Sequence, residues 1–393
     1  MKEKLAFVCQ RYGLEVNGGA ELLCRQLAEK MTLIYDVCVY TTCAIDYITW
    51  RNEYKPGKEE INGVTVYRFP VDKERNLASF NKLSVILDRN LVHSEVAEEK
   101  WIDAQGPLCP KLLKQLQMDY KNYKAVIFMT YLYYLTARGL PLGFENAFLI
   151  PTVHDEPPVY LSYYDRVFLS ARGIIWNTSV ERAFAEKRFP QIKDTPGIYA
   201  GVGMDLPNRI LPDIPMHLND AKYIVYAGRI DESKGCGRMF QYFIEYKKRH
   251  QCDPLKLVLL GKAVMPIPEN QDIIHLGFVS DEMKLSVMKN SIALILFSEF
   301  ESLSMVVLES MMMERPVLVN GRCAVLKEHC TRSNAGLYFE NYYEFESELD
   351  YLRNNHSEYE TMCRNGAQYV KDNYRWDDIV DKISRLIDEV TID

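Results

Sequence analysis

No stretch of this chain approaches the roughly 20 apolar residues that a membrane-spanning helix needs. The short apolar run in the opening MKEKLAFVCQ falls well below the core of a signal peptide. The expectation is a cytoplasmic protein; peripheral attachment to the inner face of a membrane stays open, because an interfacial site needs no long apolar segment. Positive charge is short as well: 47 Lys and Arg stand against 54 Asp and Glu, a formal net charge of -7. Without a basic field there is nothing to draw a polyanion, so nucleic acid is excluded as a partner. None of the 10 cysteines forms a C-x-x-C pair, which removes the usual signature of a structural zinc or redox dithiol and leaves reduced core thiols as the expectation. Solenoid-length repeats and low-complexity tracts are absent too.

What is present is an ordinary globular composition over 393 residues, 48% hydrophobic and 26% charged, a length that suits two domains with a core each. Short apolar runs alternate with longer helical patterns, the sequence signature of doubly wound α/β domains with parallel sheets. Strands are expected at Leu5 to Cys9, Tyr35 to Thr41, Lys124 to Thr130, Ala147 to Val153 and Gly173 to Trp176, with a hairpin strand in Asn62 to Pro70. A second series follows Gly201-Val202-Gly203, at Lys222 to Ala227, Leu257 to Leu260, Ala293 to Phe297 and Val317 to Val319. The boundary is therefore placed there, giving domains 1-200 and 201-375, with LPNRILPDIP (206–215) as the connector.

Four segments carry candidate chemistry. The first strand leads to Gly18-Gly19 before a helix; glycines there let backbone approach a ligand and the helix start offers free N–H groups, although the spacing is not G-x-G-x-x-G and a tight turn reads equally well. The first strand of the second series runs into GRIDESKG, putting Arg229 and Lys234 at a strand's carboxyl end, where open α/β sheets bind ligands and two cations suit a diphosphate; solvated surface cations are the alternative. In FSEFESLSMVVLESMMMERP, Glu301 is expected in a loop and Glu309 inside a helix from about Ser304 to Glu314 ended by Pro316, and the N–H groups of Ser304 and Met305 at its start suit phosphate oxygens. Met311 to Met313 read as core. Finally, His154 follows a strand in PTVHDEPP; the contiguous His154-Asp155-Glu156 cannot easily converge on one ion, so no metal is expected.

Together these segments resemble family 4 glycosyltransferases of the GT-B fold, nearly end to end: NGGAE, the His154 loop, GRIDESKG, LVLLGK (257–262), HLGFVS (275–280), the E-x7-E pair Glu301 and Glu309, and a terminal NYRWDDIVDKISRLIDEV. The resemblance implies two Rossmann-like domains facing across a cleft, with the last helix, about 376-393, returning to the first domain. It implies a nucleotide-diphosphate sugar as donor substrate, with no cofactor required. Arg229 and Lys234 would neutralise the diphosphate, Glu309 would bind ribose, and Glu301 with the Ser302, Leu303, Ser304 and Met305 backbone would hold the sugar. Phe278 would lie near the base, His154 would contact the donor sugar, and Gly18-Gly19 would leave room for phosphates. Transfer would retain configuration, onto a saccharide or lipid-linked oligosaccharide, in cell-surface polysaccharide biosynthesis.

The chain departs from the family where Glu301 is followed by Ser302-Leu303-Ser304 in place of glycines, which leaves the donor's identity open. Asp46, Tyr47, Trp50 and Arg51 begin an insert that reads as an acceptor site or as a packed surface loop. A GT-B type nucleotide-sugar epimerase and a catalytically silent subunit are the competing functions; the paired glutamates and cations favour transfer.

Overall fold

The computed structural model describes residues 2–16, 18–89, 93–205 and 211–391. The chain divides into two compact units, 1–202 with 377–393, and 203–376. Of the expected connector, 206–210 lies outside the described residues, as does Asn17 of the NGGAE segment.

The first unit is built on eight strands: β1 Lys4–Val8, β2 Asp36–Thr42, β3 Gly57–Ile61, β4 Val64–Phe69, β5 Ala125–Met129, β6 Ala147–Ile150, β7 Gly173–Trp176 and β8 Gly197–Tyr199. Their order is β3-β4-β2-β1-β5-β6-β7-β8, and all neighbours are parallel except the β3–β4 hairpin. Parallel pairing buries both faces, and the central strands are accordingly apolar throughout: AVIFM in β5 and AFLI in β6 have no exposed residue. The edge strand β3, GKEEI, is exposed along nearly its whole length and carries the charges that keep an open edge from pairing with another chain. The C-terminal helix Trp376–Thr391 is tied to this unit through Asp388, whose Oδ1 lies 2.5 Å from Lys124 Nζ.

The second unit has six strands: β9 Tyr223–Ala227, β10 Lys256–Leu260, β11 Ile273–Gly277, β12 Leu294–Leu296, β13 Val317–Asn320 and β14 Gly336–Phe339. Their order is β11-β10-β9-β12-β13-β14, every pair parallel. Numbered within the unit this is 3-2-1-4-5-6, the Rossmann order. The direction of winding reverses between β9 and β12, and the reversal opens a crevice beyond their carboxyl ends. The same reversal occurs between β1 and β5 in the first unit. The fold is thus the two-domain α/β architecture of GT-B glycosyltransferases. All 10 cysteines are free thiols, and only Cys252 is exposed. Among the described residues no helix is long and apolar enough to cross a membrane.

Candidate active site

In the second unit, the loops after β9 and β12 meet at the reversal point. Gly235, at φ 70°, starts the helix Cys236–Arg249. A Cβ there would stand 2.3 Å from the Phe297 carbonyl oxygen, so only glycine lets this helix start against the end of β12. That approach brings Lys234 Nζ to 2.8 Å from Glu301 Oε1. Arg229 lies beside it in sequence but is held differently: its Nε is 3.0 Å from Asp231 Oδ2 and its Nη2 donates to Ser233 Oγ at 3.4 Å. Burial works to raise the Asp231 carboxyl, but the Ser233 donors and the Arg229 charge outweigh it and hold the group below its ordinary value.

The expected helix from Ser304 to Glu314 is shorter, Met305–Met312, because both proposed ends adopt left-handed backbone: Ser304 has φ 64° and Glu314 φ 57°. Ser304 is 7% exposed and its hydroxyl has no hydrogen-bond partner. It therefore occupies, as serine, a conformation that glycine adopts without steric cost. Leu303 is buried, and its carbonyl accepts a 2.7 Å hydrogen bond from His329 Nε2 in the helix Ala324–Ser333. His329 Nδ1 is 3.3 Å from the Tyr369 hydroxyl, which is 3.2 Å from that of Tyr374. With Nε2 donating to a carbonyl, Nδ1 must accept from Tyr369, and Tyr374 must donate to Tyr369. Burial keeps the imidazole below its ordinary pKa, hence neutral.

Glu309 is not an open carboxylate. Its Oε1 accepts from Lys284 Nζ at 2.8 Å, while Oε2 is buried without a partner. Lys284 also reaches Asp281 Oδ1 at 3.0 Å, and lies on the helix Asp281–Lys289, which Ser280 caps. Burial pushes the Glu309 carboxyl upward more than Lys284 pulls it down. Phe278, on the turn after β11, is 70% exposed and presents an open ring.

In the first unit, Gly18-Gly19 do not share one role. A Cβ on Gly18 would fall 2.1 Å from Glu21 Oε2, whereas Gly19 faces open space. The room at Gly18 is filled by a buried ion pair with no signature in the sequence: Glu21 Oε1 accepts from Arg11 Nη2 at 2.6 Å, Arg11 Nε at 3.0 Å and Gln10 Nε2 at 2.9 Å. Arg11 also donates to the Ile45 carbonyl at 2.7 Å and lies 5.5 Å from the centre of the half-buried Tyr47 ring.

The insert residues divide. Asp46 Oδ2 accepts from the Thr49 N–H and hydroxyl, both at 2.7 Å, and so shapes its own turn. Arg51 is exposed, 3.9 Å from Glu74. Trp50 corrects the expectation of a ring offered to a sugar: it is 1% exposed, packs with Ala44 and Val71, and donates its indole N–H to the Gln105 carbonyl at 2.7 Å. The reason is that its backbone turns at φ 59° and sends the ring inward.

His154 follows β6, with Nδ1 3.8 Å from Glu156 Oε1, an oxygen that also accepts from the buried Tyr131 hydroxyl at 2.7 Å. The loop is pinned by Glu181, whose two oxygens accept the Val153 and Asn177 N–H groups at 2.8 and 2.6 Å. Among the described residues no group of three His, Cys, Asp or Glu side chains is arranged to hold a metal ion.

The second unit thus presents a Rossmann-order crevice with two lysine–glutamate ion pairs, Lys234–Glu301 and Lys284–Glu309, on the loops and helices that follow its strands. Residues 221–355, which lie within the second unit, match the family described as "Glycosyl transferases group 1". Whole-chain structural similarity extends to sucrose-phosphate synthase from Thermosynechococcus elongatus, with 15% identity over 99% of both chains and a TM-score of 0.69. It extends equally to Anabaena HepE in complex with UDP and glucose, at 13% identity over 98% of this chain and 100% of that one, TM-score 0.67. WaaG, a glycosyltransferase involved in lipopolysaccharide biosynthesis, shares 14% identity over 99% of this chain and 100% of its own, TM-score 0.65. No curated protein matches the chain by sequence.

Proposed function

We propose that this chain is a retaining hexosyltransferase that takes its sugar from a nucleotide-diphosphate donor held by the second unit and passes it to a saccharide or lipid-linked acceptor bound by the first. The observation that carries the reading is the pair of ion pairs at the second unit's reversal point, Lys234–Glu301 and Lys284–Glu309, each at 2.8 Å, flanking the start of the helix Met305–Met312. Lys234 and Arg229 supply fixed positive charge to a departing diphosphate, and the helix start adds oriented N–H groups. Glu309, with one oxygen still free of hydrogen bonds, accepts from ribose hydroxyls. Glu301 and the backbone of Ser302 to Met305 hold the donor sugar, Phe278 lies beside the base, and His154 serves the transferred sugar. Asp46, Tyr47 and Arg51 belong to the acceptor side. Configuration is retained by front-face attack, with the leaving phosphate drawing off the acceptor proton. This chemistry calls on the chain's own cations for charge stabilisation. A role in cell-surface polysaccharide synthesis, in the cytoplasm or at the inner membrane face, is consistent with the likeness to WaaG.

The test is thermal stability against UDP-, GDP-, ADP- and dTDP-sugars, followed by transfer assays. Glu309→Ala is expected to weaken donor binding by roughly 10- to 100-fold, the range of one or two charge-assisted hydrogen bonds. Lys234→Ala is expected mainly to lower kcat, by about 10²-fold or more. Normal turnover by both variants sinks the assignment, and donor consumption without any acceptor would point to epimerisation instead.

A further inference from the structure

The connector after β4 carries a cation, Arg75, that makes no ion pair with a carboxylate among the described residues. Arg75 packs its guanidinium against the rings of Trp50, 4.8 Å from the centroid, and Phe80, at 5.0 Å. Its Nε and Nη2 both donate to the Gln105 carbonyl, at 3.0 and 2.5 Å, the oxygen that also accepts from the Trp50 indole. Its backbone N–H is fixed on the Thr49 carbonyl at 2.7 Å. No carboxylate among the described residues lies within ion-pair distance, and Nη1 has no hydrogen-bond partner among them.

This sets Arg75 apart from its neighbours. Every other described arginine of the first unit that is not exposed is paired with a carboxylate: Arg11 with Glu21, Arg25 with Glu29, Arg68 with Glu59, Arg138 with Asp103, Arg166 with Glu99, Arg182 with Glu186 and Arg188 with Asp165. Burial pushes the Arg75 guanidinium down to about 10, with Tyr133, Tyr47 and Asp46 pulling against it and Arg11 adding to the depression. It remains charged at neutral pH, and an arginine whose ring stack, carbonyl anchor and backbone are all fixed is oriented in advance, with one edge of its fork still to be used.

We infer that Arg75 is the specificity residue for an anionic acceptor, its Nη1 edge taking a phosphate or carboxylate carried by the saccharide that receives the transferred sugar. The inference rests on the reading of the first unit as the acceptor side. Trp50 and Gln105 are positioning residues in this arrangement: they hold the guanidinium and do not touch the ligand. The hydrogen-bond donor that meets the anion and the positive charge that balances it are the same group, so a neutral acceptor would leave Arg75 as uncompensated as it stands in the free chain.

The test uses the full chain carrying Arg229→Ala and Lys234→Ala, which silences the proposed diphosphate site, with and without Arg75→Met. Thermal unfolding is followed while inorganic phosphate or sodium acetate is added, with sodium chloride at matched ionic strength as the control. At about ten times the dissociation constant, the probe that matches should raise the Tm of the parent by roughly 2–4 °C, and Arg75→Met should abolish that rise. Response to phosphate identifies a phosphorylated acceptor; response to acetate alone identifies a uronic-acid type. Arg75→Lys, which keeps the charge without the fork, should retain part of the rise and serves as the comparison if the Met variant fails to fold. An equal response with and without Arg75, or no response to either anion beyond chloride, overturns the inference. Neither outcome bears on donor binding, which is read separately by the nucleotide-sugar shift of the chain with Arg229 and Lys234 intact.

Discussion

Replacing His329 by leucine tests how the proposed donor loop is held. The imidazole is the one group bridging the Leu303 carbonyl and the Tyr369 hydroxyl, and leucine fills similar volume without making either bond. Leaving two buried polar groups unsatisfied costs about 1–3 kcal/mol each, so roughly 2–6 kcal/mol in all, which for a unit of this size lowers Tm by about 4–24 °C. The loss should not stop at stability. With the Leu303 carbonyl released, the segment Glu301 to Ser304 loses its hydrogen bond to the helix Ala324–Ser333, and KM for the nucleotide sugar should rise by about 5-fold or more at temperatures where the variant is still folded. His329→Gln can still donate to Leu303 and should recover most of the donor affinity.

The pH dependence has a definite sign. Burial holds the folded-state pKa of His329 below its ordinary 6.5, so the unfolded chain binds the proton more readily. Its contribution is therefore full above pH 6.5 and is lost as pH falls below that value toward the folded pKa, with a slope of up to about 1.4 kcal/mol per pH unit. The stability advantage of the native chain over His329→Gln, measured by urea unfolding at pH 7.5 and 5.5, should shrink on acidification. A constant gap, or a His329→Leu variant that melts within a degree of the native chain, would refute the account.

Two further outcomes follow from the same region. Ser304→Gly relieves a left-handed serine at φ 64° and removes a buried hydroxyl without a partner, so stability should rise by about 1–2 kcal/mol; a loss on urea unfolding would mean that the hydroxyl is satisfied in solution. Lys284→Met strips Glu309 of its cation, at a cost of about 2–4 kcal/mol for a pair this enclosed. Because the folded Glu309 carboxyl already lies above its ordinary 4.5, stability from this group is present below that value and lost as pH rises through the folded pKa. The variant should therefore match the native chain best near pH 5 and fall behind toward pH 8, a trend that thermal melts across that range would reveal or exclude.

Much of the architecture is legible because buried parallel strands are nearly all apolar: AVIFM and YIVYA announce β5 and β9. The strands that escape notice are short or half exposed, such as GIY in β8 and IIHLG in β11, where edge position relaxes the demand for apolar residues. At the site, Glu301 and Glu309 stand out by their spacing after a strand. Lys284 does not, since it reaches Glu309 from a helix 25 residues earlier. Gly18 reads as space for a ligand until Glu21 is seen to fill it. Trp50 and Tyr47 look alike in sequence, and the inward turn at Trp50 alone separates a packed ring from a presented one. Arg75 in a polar connector and His329 in an ordinary helix carry no local signal at all, because what distinguishes each is a partner it has or lacks in space.

On the proposed reading, the Lys234–Glu301 and Lys284–Glu309 contacts also bear on the end of the catalytic cycle. A nucleotide that has given up its sugar still carries the charge that Lys234 attracts, and a bare lysine would hold it. Here Glu301 and Glu309 stand ready to take their lysines back, so that each step of product departure is met by an internal replacement. A self-neutralised site of this kind would trade some grip on the proposed donor for speed of release, in a class of reaction where letting go of a product can limit turnover.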